Sequence, residues 1–286
     1  MHKQRQRKAG TQSIAEIPAV RGQHLLHHQP VIHEMIELAG ITAADVVLDL
    51  GAGRGAITMP LAERAGKVLA VENDDAFAAV LRQKSAPCRN VSVIEQDIRD
   101  TYLPKEPFHV VANIPFFITT PILEKLLDQP GSPFQGAVLI VQHGAAKGLT
   151  SRMFRSPRLL TWRMWFDLEL VKVVPRRYFS PPPRVDAAIL RIRRRNTPWV
   201  EAKDRHAFEG LAEYGLAYPE MPVCDVLAGI FTPVQIKLLL LQLKLDRRIP
   251  VCSLRERDWG VIFQTMREKV PPYRWPKRGK KKRSSR

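Results

Sequence analysis

VVLDLGAGRG, residues 46–55, joins a five-residue apolar run to a loop with glycine at alternate positions, Gly51, Gly53 and Gly55. The run has strand length and composition, and glycine lets the backbone after it turn sharply and approach a ligand at the start of a helix. The spacing narrows the ligand. A dinucleotide loop uses GxGxxG to seat a pyrophosphate, whereas here the third glycine arrives one residue early and Arg54 intervenes.

Outward from this run, VLAVE (68–72), VSVIEQD (91–97), HVVAN (109–113) and AVLIV (137–141) are further short apolar segments. Nearly continuous apolar strands separated by helix-length stretches predict a parallel sheet covered on both faces. LELVKVV (168–174) and AAILRIR (187–193) are separated by PRRYFSPPPRVD, whose prolines exclude a crossover helix. These two strands are therefore expected to pair antiparallel and close a seven-stranded mixed sheet.

Beyond the arginines at 191–195 the period becomes helical. Thr232-Pro233-Val234-Gln235 reads as an N-cap, a proline in the first turn and a capping-box glutamine. Ser253-Leu254-Arg255-Glu256 reads as the same device ahead of Trp259, Ile262, Phe263 and Met266. The expected organisation is a basic arm at 1–21, an α/β domain at 22–195, a small all-helical domain at 196–276 and a basic, disordered tail at 277–286.

The chain has 286 residues, with 45 Lys and Arg against 28 Asp and Glu, a formal net charge of +17. Its 45% hydrophobic and 26% charged content excludes a disordered, collagen-like or coiled-coil chain. Four cations lie in residues 1–8 and seven in 277–286, and the stretch 152–195 holds twelve against Asp167, Glu169 and Asp186. A single-signed folded surface repels itself unless a polyanion relieves it, so a polyanionic partner, nucleic acid or an anionic membrane, is expected. Cys88, Cys224 and Cys252 are dispersed and form no CxxC pair, which argues against disulfides or a metal site and suits a reducing cytoplasm. No apolar run approaches membrane-spanning length.

The candidate site collects at strand ends. Glu72 closes the second strand roughly 20 residues after the glycine loop, the distance at which a carboxylate reaches ribose hydroxyls. Asp97 closes the third, followed by Ile98, and the fourth ends in Asn113-Ile114-Pro115-Phe116-Phe117. Asn113 offers an amide oxygen, Pro115 a rigid turn that can aim neighbouring carbonyls, and Phe116 a flat apolar face. Such a set can hold a planar, amine-bearing base, its ring on Phe116 and its NH₂ on Asn113 and the Ile114 carbonyl. Strand C-termini are where open α/β sheets bind ligands, so together these features describe one crevice for an adenosine without phosphates.

The series DLGAGRG, VEND, QDI, NIPF resembles the S-adenosylmethionine-dependent rRNA adenine-N6 methyltransferases, the group of the Erm macrolide-resistance enzymes and the KsgA-type small-subunit dimethyltransferases. GQHLL (22–26) is similar to the family's opening cofactor motif, VQHGAAKGL (141–149) and VPRRYFSPPPRVDAAIL (174–190) to its later motifs, and FTPVQ (231–235) with the Trp259 helix to the Erm helical domain. The resemblance implies a Rossmann-like methyltransferase domain in which Gln23, His24, Leu26, Gly51, Gly53, Glu72, Asp97, Ile98 and Asn113 surround S-adenosylmethionine. Asn113, Ile114, Pro115 and Phe116 would receive the target adenine, with Phe179 as a second aromatic. His24 stands where the family usually has Asn.

Arg152, Arg155, Arg158 and Arg163, with Arg176, Arg177 and Arg184 flanking Phe179, are expected to rim the same mouth and contact RNA phosphates. Trp162 and Trp165, three apart among apolar neighbours, are expected in the core. The favoured function is methylation of one adenine of large-subunit rRNA, giving macrolide, lincosamide and streptogramin B resistance, by a cytoplasmic monomer without a metal or membrane partner. A KsgA-type small-subunit enzyme, a non-catalytic RNA-binding assembly factor and a nicotinamide oxidoreductase are the competing functions.

Overall fold

The computed structural model describes residues 24–279. Gln23, the arm at 1–21 and most of the tail lie outside the described residues. In chain order the elements are β1 (Leu25–Leu26), α1 (Gln29–Ala39), β2 (Val46–Leu50), α2 (Thr58–Ala62), β3 (Lys67–Glu72), α3 (Asp75–Ser85), β4 (Val91–Glu95), β5 (Phe108–Asn113), α4 (Thr119–Leu127), β6 (Phe134–Gln142), α5 (His143–Leu149), α6 (Pro157–Trp165), β7 (Phe166–Val174), β8 (Phe179–Ser180) and β9 (Ala187–Arg194). The C-terminal part follows as α7 (Arg205–Gly215), α8 (Val223–Leu227), α9 (Pro233–Leu243) and α10 (Glu256–Lys269).

The main sheet has strand order β4-β3-β2-β5-β6-β9-β7. The pairings β4-β3-β2-β5-β6 are parallel, and β9 alone runs reversed, antiparallel to both β6 and β7. Alternate side chains serve opposite faces. Leu48, Leu50, Val110 and Ala112 join one apolar cluster, while Val47, Val111, Val138 and Ile140 join another beneath α1. The first cluster continues without a break into the helical region: Trp165 meets Phe208 edge-on at 6.4 Å, and Phe208 meets Phe263 at 5.5 Å. Trp162 and Trp165, each 3% exposed, are core residues.

Chain order reverses between β2 and β5, whose neighbours β3 and β6 lie on opposite sides. The β2–β5 ladder stops at Leu48 and Val110, although β2 runs on to Leu50 and β5 to Asn113. Two parallel strands that part at their C-terminal ends open a crevice there, at the topological switch point.

Two local expectations change. β4 ends at Glu95, so Asp97 lies in the turn beyond it, its main chain bonded to Asp100 and Thr101. The cap of α10 is Arg255, whose N–H donates to Asp258 at 2.9 Å, and not Ser253, whose hydroxyl turns back to the Pro250 carbonyl at 2.7 Å. The carboxylate at the third helical position reaches the cap first, which leaves the serine to close the preceding 3₁₀ turn. The Thr232–Gln235 capping box of α9 is formed on both sides.

Candidate active site

The glycine loop leaves β2 with Gly51 and Gly53 at φ +78° and +54°, values open to glycine at little cost. The N–H groups of Gly51 and Ala52 donate to the Val71 carbonyl at 2.9 and 3.0 Å, strapping the loop to β3. A Cβ on Gly51 would stand 3.5 Å from Pro115 Cδ and 3.6 Å from Ile98 Cδ1, in the gap between this loop and the β5 turn. Glycine therefore keeps a slot open.

Glu72, 4% exposed, ends β3 beside that slot. Its Oε2 accepts from Gly53 N at 2.7 Å, and its Oε1 accepts from Asn73 N and Asp74 N at 2.9 Å each. Three amides fix the carboxylate in one orientation, with lone pairs to spare for hydroxyl donors. Asp97 is held by Arg99, which donates from its main-chain N at 2.8 Å and forks its guanidinium onto both carboxylate oxygens. That fork holds the Asp97 carboxyl below its ordinary value. Lys125 of α4 fixes the same turn by donating to the Arg99 carbonyl at 2.8 Å.

Asn113 Nδ2 donates to the His24 carbonyl at 2.7 Å, which leaves Oδ1 as the acceptor not committed to that bond. His24 is itself fixed, its ring Nδ1 2.8 Å from the Pro181 carbonyl and its centroid 6.0 Å from that of Phe116. The anchor is the two-stranded β1–β8 ladder, Leu25 opposite Ser180 and Leu26 opposite Phe179.

One pocket thus gathers His24, Gly51, Gly53, Glu72, Asp97, Ile98, Asn113, Ile114, Pro115 and Phe116. It does not gather Leu26 or Phe179. Their side chains are 3% and 2% exposed in the cluster under α1, because the pleat that sends Leu25 toward Gly53 sends Leu26 and its ladder partner inward. Phe179 is accordingly a core residue here and does not stack at the pocket. Leu25, Asn73, Phe77, Arg99 and Phe117 line the wall and were missed. Phe117, 73% exposed, was visible as the second aromatic of NIPFF, and Arg99 as the cation two residues after Asp97.

A second opening, a cleft of about 840 Å³, runs from Phe116 and α4 past Arg158 and Trp162 to Arg205, Glu209 and Glu213 on α7. Phe116 is common to both.

The cationic stretch is less bare than its composition implies. Arg155 pairs with Glu220, Arg158 with Glu124, Arg163 with Glu256 and Lys172 with Glu34. Arg163 is largely buried over Phe154 and ties α6 to α10, so it is not on the rim. Counting charge along the chain misses carboxylates delivered by distant segments. Arg152, Arg176, Arg177 and Arg184 are exposed and have no ion pair among the described residues.

Asp49, ahead of the loop on β2, is 1% exposed. Its Oδ2 accepts from Thr58 Oγ1 at 2.7 Å, and Oδ1 has no partner among the described residues. Burial pushes this carboxyl up to about 7, with the Glu72 charge adding to the effect. The fold keeps a proton that the unfolded chain has already released, so stability is full below the ordinary carboxyl value and falls as pH rises toward 7. Wild type should lose a few kcal/mol over that interval and Asp49→Asn much less. Urea midpoints at pH 5 and 7.5 test this; parallel declines in both proteins would sink it.

A seven-stranded sheet with one reversed strand, a glycine loop whose spacing departs from the dinucleotide pattern and acids at or just beyond adjacent strand ends define the class, a Rossmann-like methyltransferase. The family model for "Ribosomal RNA adenine dimethylase" matches residues 19–267. An rRNA adenine N-6-methyltransferase of Bacillus licheniformis is 46% identical over 281 residues, covering 98% of this chain and 97% of that protein. A ribosomal RNA small subunit methyltransferase A of Dehalococcoides mccartyi is 35% identical, covering 76% and 78%. The crystal structure of the 23S rRNA methyltransferase ErmE superposes with a TM-score of 0.77 at 28% identity, over 85% of this chain and 99% of that one. The chain belongs to the ribosomal RNA adenine dimethylase family and is an rRNA adenine N6-methyltransferase that uses S-adenosylmethionine. Among the described residues no helix is long and apolar enough to cross a membrane, and no cluster of His, Cys, Asp and Glu could hold a metal.

Proposed function

We propose that the chain methylates the exocyclic N6 of one adenine in large-subunit, 23S rRNA, acting in the cytoplasm as a monomer and conferring macrolide, lincosamide and streptogramin B resistance. The observation that carries this reading is the position of Phe116, which lines both the strand-end pocket and the broad cleft toward the helical region. An RNA lying in the cleft presents a flipped base at the place where the pocket opens. The large-subunit target is favoured by near-complete coverage, helical region included, of a relative named rRNA adenine N-6-methyltransferase and by the likeness to ErmE.

In this reading Glu72 accepts the ribose hydroxyls of S-adenosylmethionine and Asp97 its adenine amine, while Gly51, Gly53, Ile98 and His24 complete the walls. Bound there, the cofactor supplies an electrophilic methyl group. The protein's own part is positional. The target amine is a weak nucleophile because its lone pair is delocalised into the ring. Asn113 Oδ1 and the Ile114 carbonyl accept its two N–H bonds, localise the lone pair and hold the nitrogen in line, and Phe116 stacks on the base. Pro115 sets the turn between them. Arg152, Arg155, Arg158, Arg176, Arg177 and Arg184 contact phosphates and position the RNA without reading its sequence.

Tritiated-methyl transfer to deproteinised 23S rRNA, with small-subunit particles in parallel and primer extension to locate the base, tests the reading. Label at one large-subunit adenine is the expected result. Label in the small-subunit particle would move the chain to the KsgA branch, and label in neither would leave RNA binding without catalysis.

A further inference from the structure

The C-terminal segment does not leave the molecule freely. Pro276 and Arg278 lie across Gly210 in the middle of α7, where a Cβ would stand 2.2 Å from the Pro276 carbonyl oxygen and 3.2 Å from Arg278 N. Arg278 pairs with Glu209 at 2.9 Å, and Gly279 N donates to Glu213 at 2.7 Å. Glu209 is 8% exposed and also receives Arg205 at 2.8 Å, so the Arg278 contact is part of a largely buried cluster. Glu209, Glu213 and Arg278 all line the cleft that begins at Phe116.

After Gly279 come Lys280, Lys281, Lys282, Arg283 and Arg286, with no acid among them. Seven residues at ~3.5 Å each span at most about 25 Å, so no cation of this run can reach farther than that from Gly279. An unanchored tail of the same charge would be diluted over a larger volume, and its effective concentration at the RNA would fall accordingly.

We propose that Glu209, Gly210 and Glu213 form a mount that delivers the cations of 280–286 to the phosphate backbone of rRNA seated in the cleft. This rests on the assignment of the cleft to RNA. The mount makes a prediction whose sign differs from that of charge counting. Removing Glu213 makes the protein more cationic and strips a carboxylate from the cleft, so simple electrostatics requires tighter RNA binding. Loss of the mount requires weaker binding.

The test measures Kd for a 23S rRNA fragment by filter binding from about 0.05 to 0.2 M salt, in wild type, Glu213→Ala, Gly210→Ala and a chain ending at Gly279, alone and combined. The truncation should weaken binding about tenfold at the high-salt end and lower the slope of log Kd against log salt by roughly 2 to 3, as for three or four lost phosphate contacts. Glu213→Ala and Gly210→Ala should each weaken binding severalfold in the full-length chain and have no such effect in the truncated one. Because Gly210→Ala changes no charge and Glu213 sits at the surface, the pair separates the mount from a folding defect. Tighter binding by Glu213→Ala, or equal effects of the substitutions with and without the tail, would overturn the mount. Methyl transfer by wild type is scored separately: transfer with an inert mount removes this inference alone, and neither binding nor transfer removes the RNA assignment too.

Discussion

Asn113→Ala should lower turnover by on the order of 10²-fold or more while rRNA affinity stays within about twofold. The substitution removes the side-chain acceptor proposed for the reacting amine, an interaction that strengthens as the nitrogen develops positive charge. The arginines proposed to contact phosphates lie outside the β5 turn and are untouched. Asn113→Asp sharpens the test. The aspartate keeps the shape but cannot donate to the His24 carbonyl 2.7 Å away, and two oxygens would then face each other. It should therefore be as impaired as the alanine, although a bare acceptor is retained. Single-turnover methyl transfer with saturating rRNA reads both. Turnover at the wild-type level in either variant would take Asn113 out of the mechanism.

Glu72→Gln should weaken binding of S-adenosylhomocysteine by about 10²- to 10⁴-fold, the loss of two charge-assisted hydrogen bonds of about 1.5–3 kcal/mol each. A glutamine cannot satisfy the site. Gly53 N approaches one carboxylate oxygen, and Asn73 N with Asp74 N approach the other, so in either orientation the amide NH₂ meets an N–H donor. The conflict tilts the glycine loop as well as removing the ribose acceptor. Titration calorimetry with the wild type as reference decides the matter, and thermal unfolding separates lost affinity from lost fold. Binding within threefold of wild type would exclude Glu72 as the ribose acceptor.

Much of the molecule was legible in one dimension because its strands are local. A run such as VVLDL needs only its own composition to be recognised, and the glycine spacing after it needs only the reach of a backbone turn. The antiparallel pairing of β7 with β9 followed from the prolines between them, since a parallel return needs a helix that cannot form there; that β9 is the strand reversed against the rest comes from its place between β6 and β7. Glu72, Asp97 and Asn113 line one pocket because each stands at or just beyond a strand end, and parallel strands bring those ends to one edge.

What sequence did not supply was which side a short element faces and what comes to it from afar. Two-residue strands carry no periodicity, so nothing local separates the facing of Leu25 from that of Leu26 or of Phe179, and the ladder between β1 and β8 sets it. The cations at 152–195 look bare in one dimension because Glu34, Glu124, Glu220 and Glu256 lie outside that stretch. The sequence by itself determined the strands, the antiparallel pairing of the last two and which residues stand at the strand ends, because strand composition, turn residues and chain direction are local. The tertiary structure alone decided the facing of Leu25, the pairing of the arginines, the cleft that meets the pocket at Phe116 and the seat of the C-terminal segment on α7, because each depends on contacts between residues far apart in the chain.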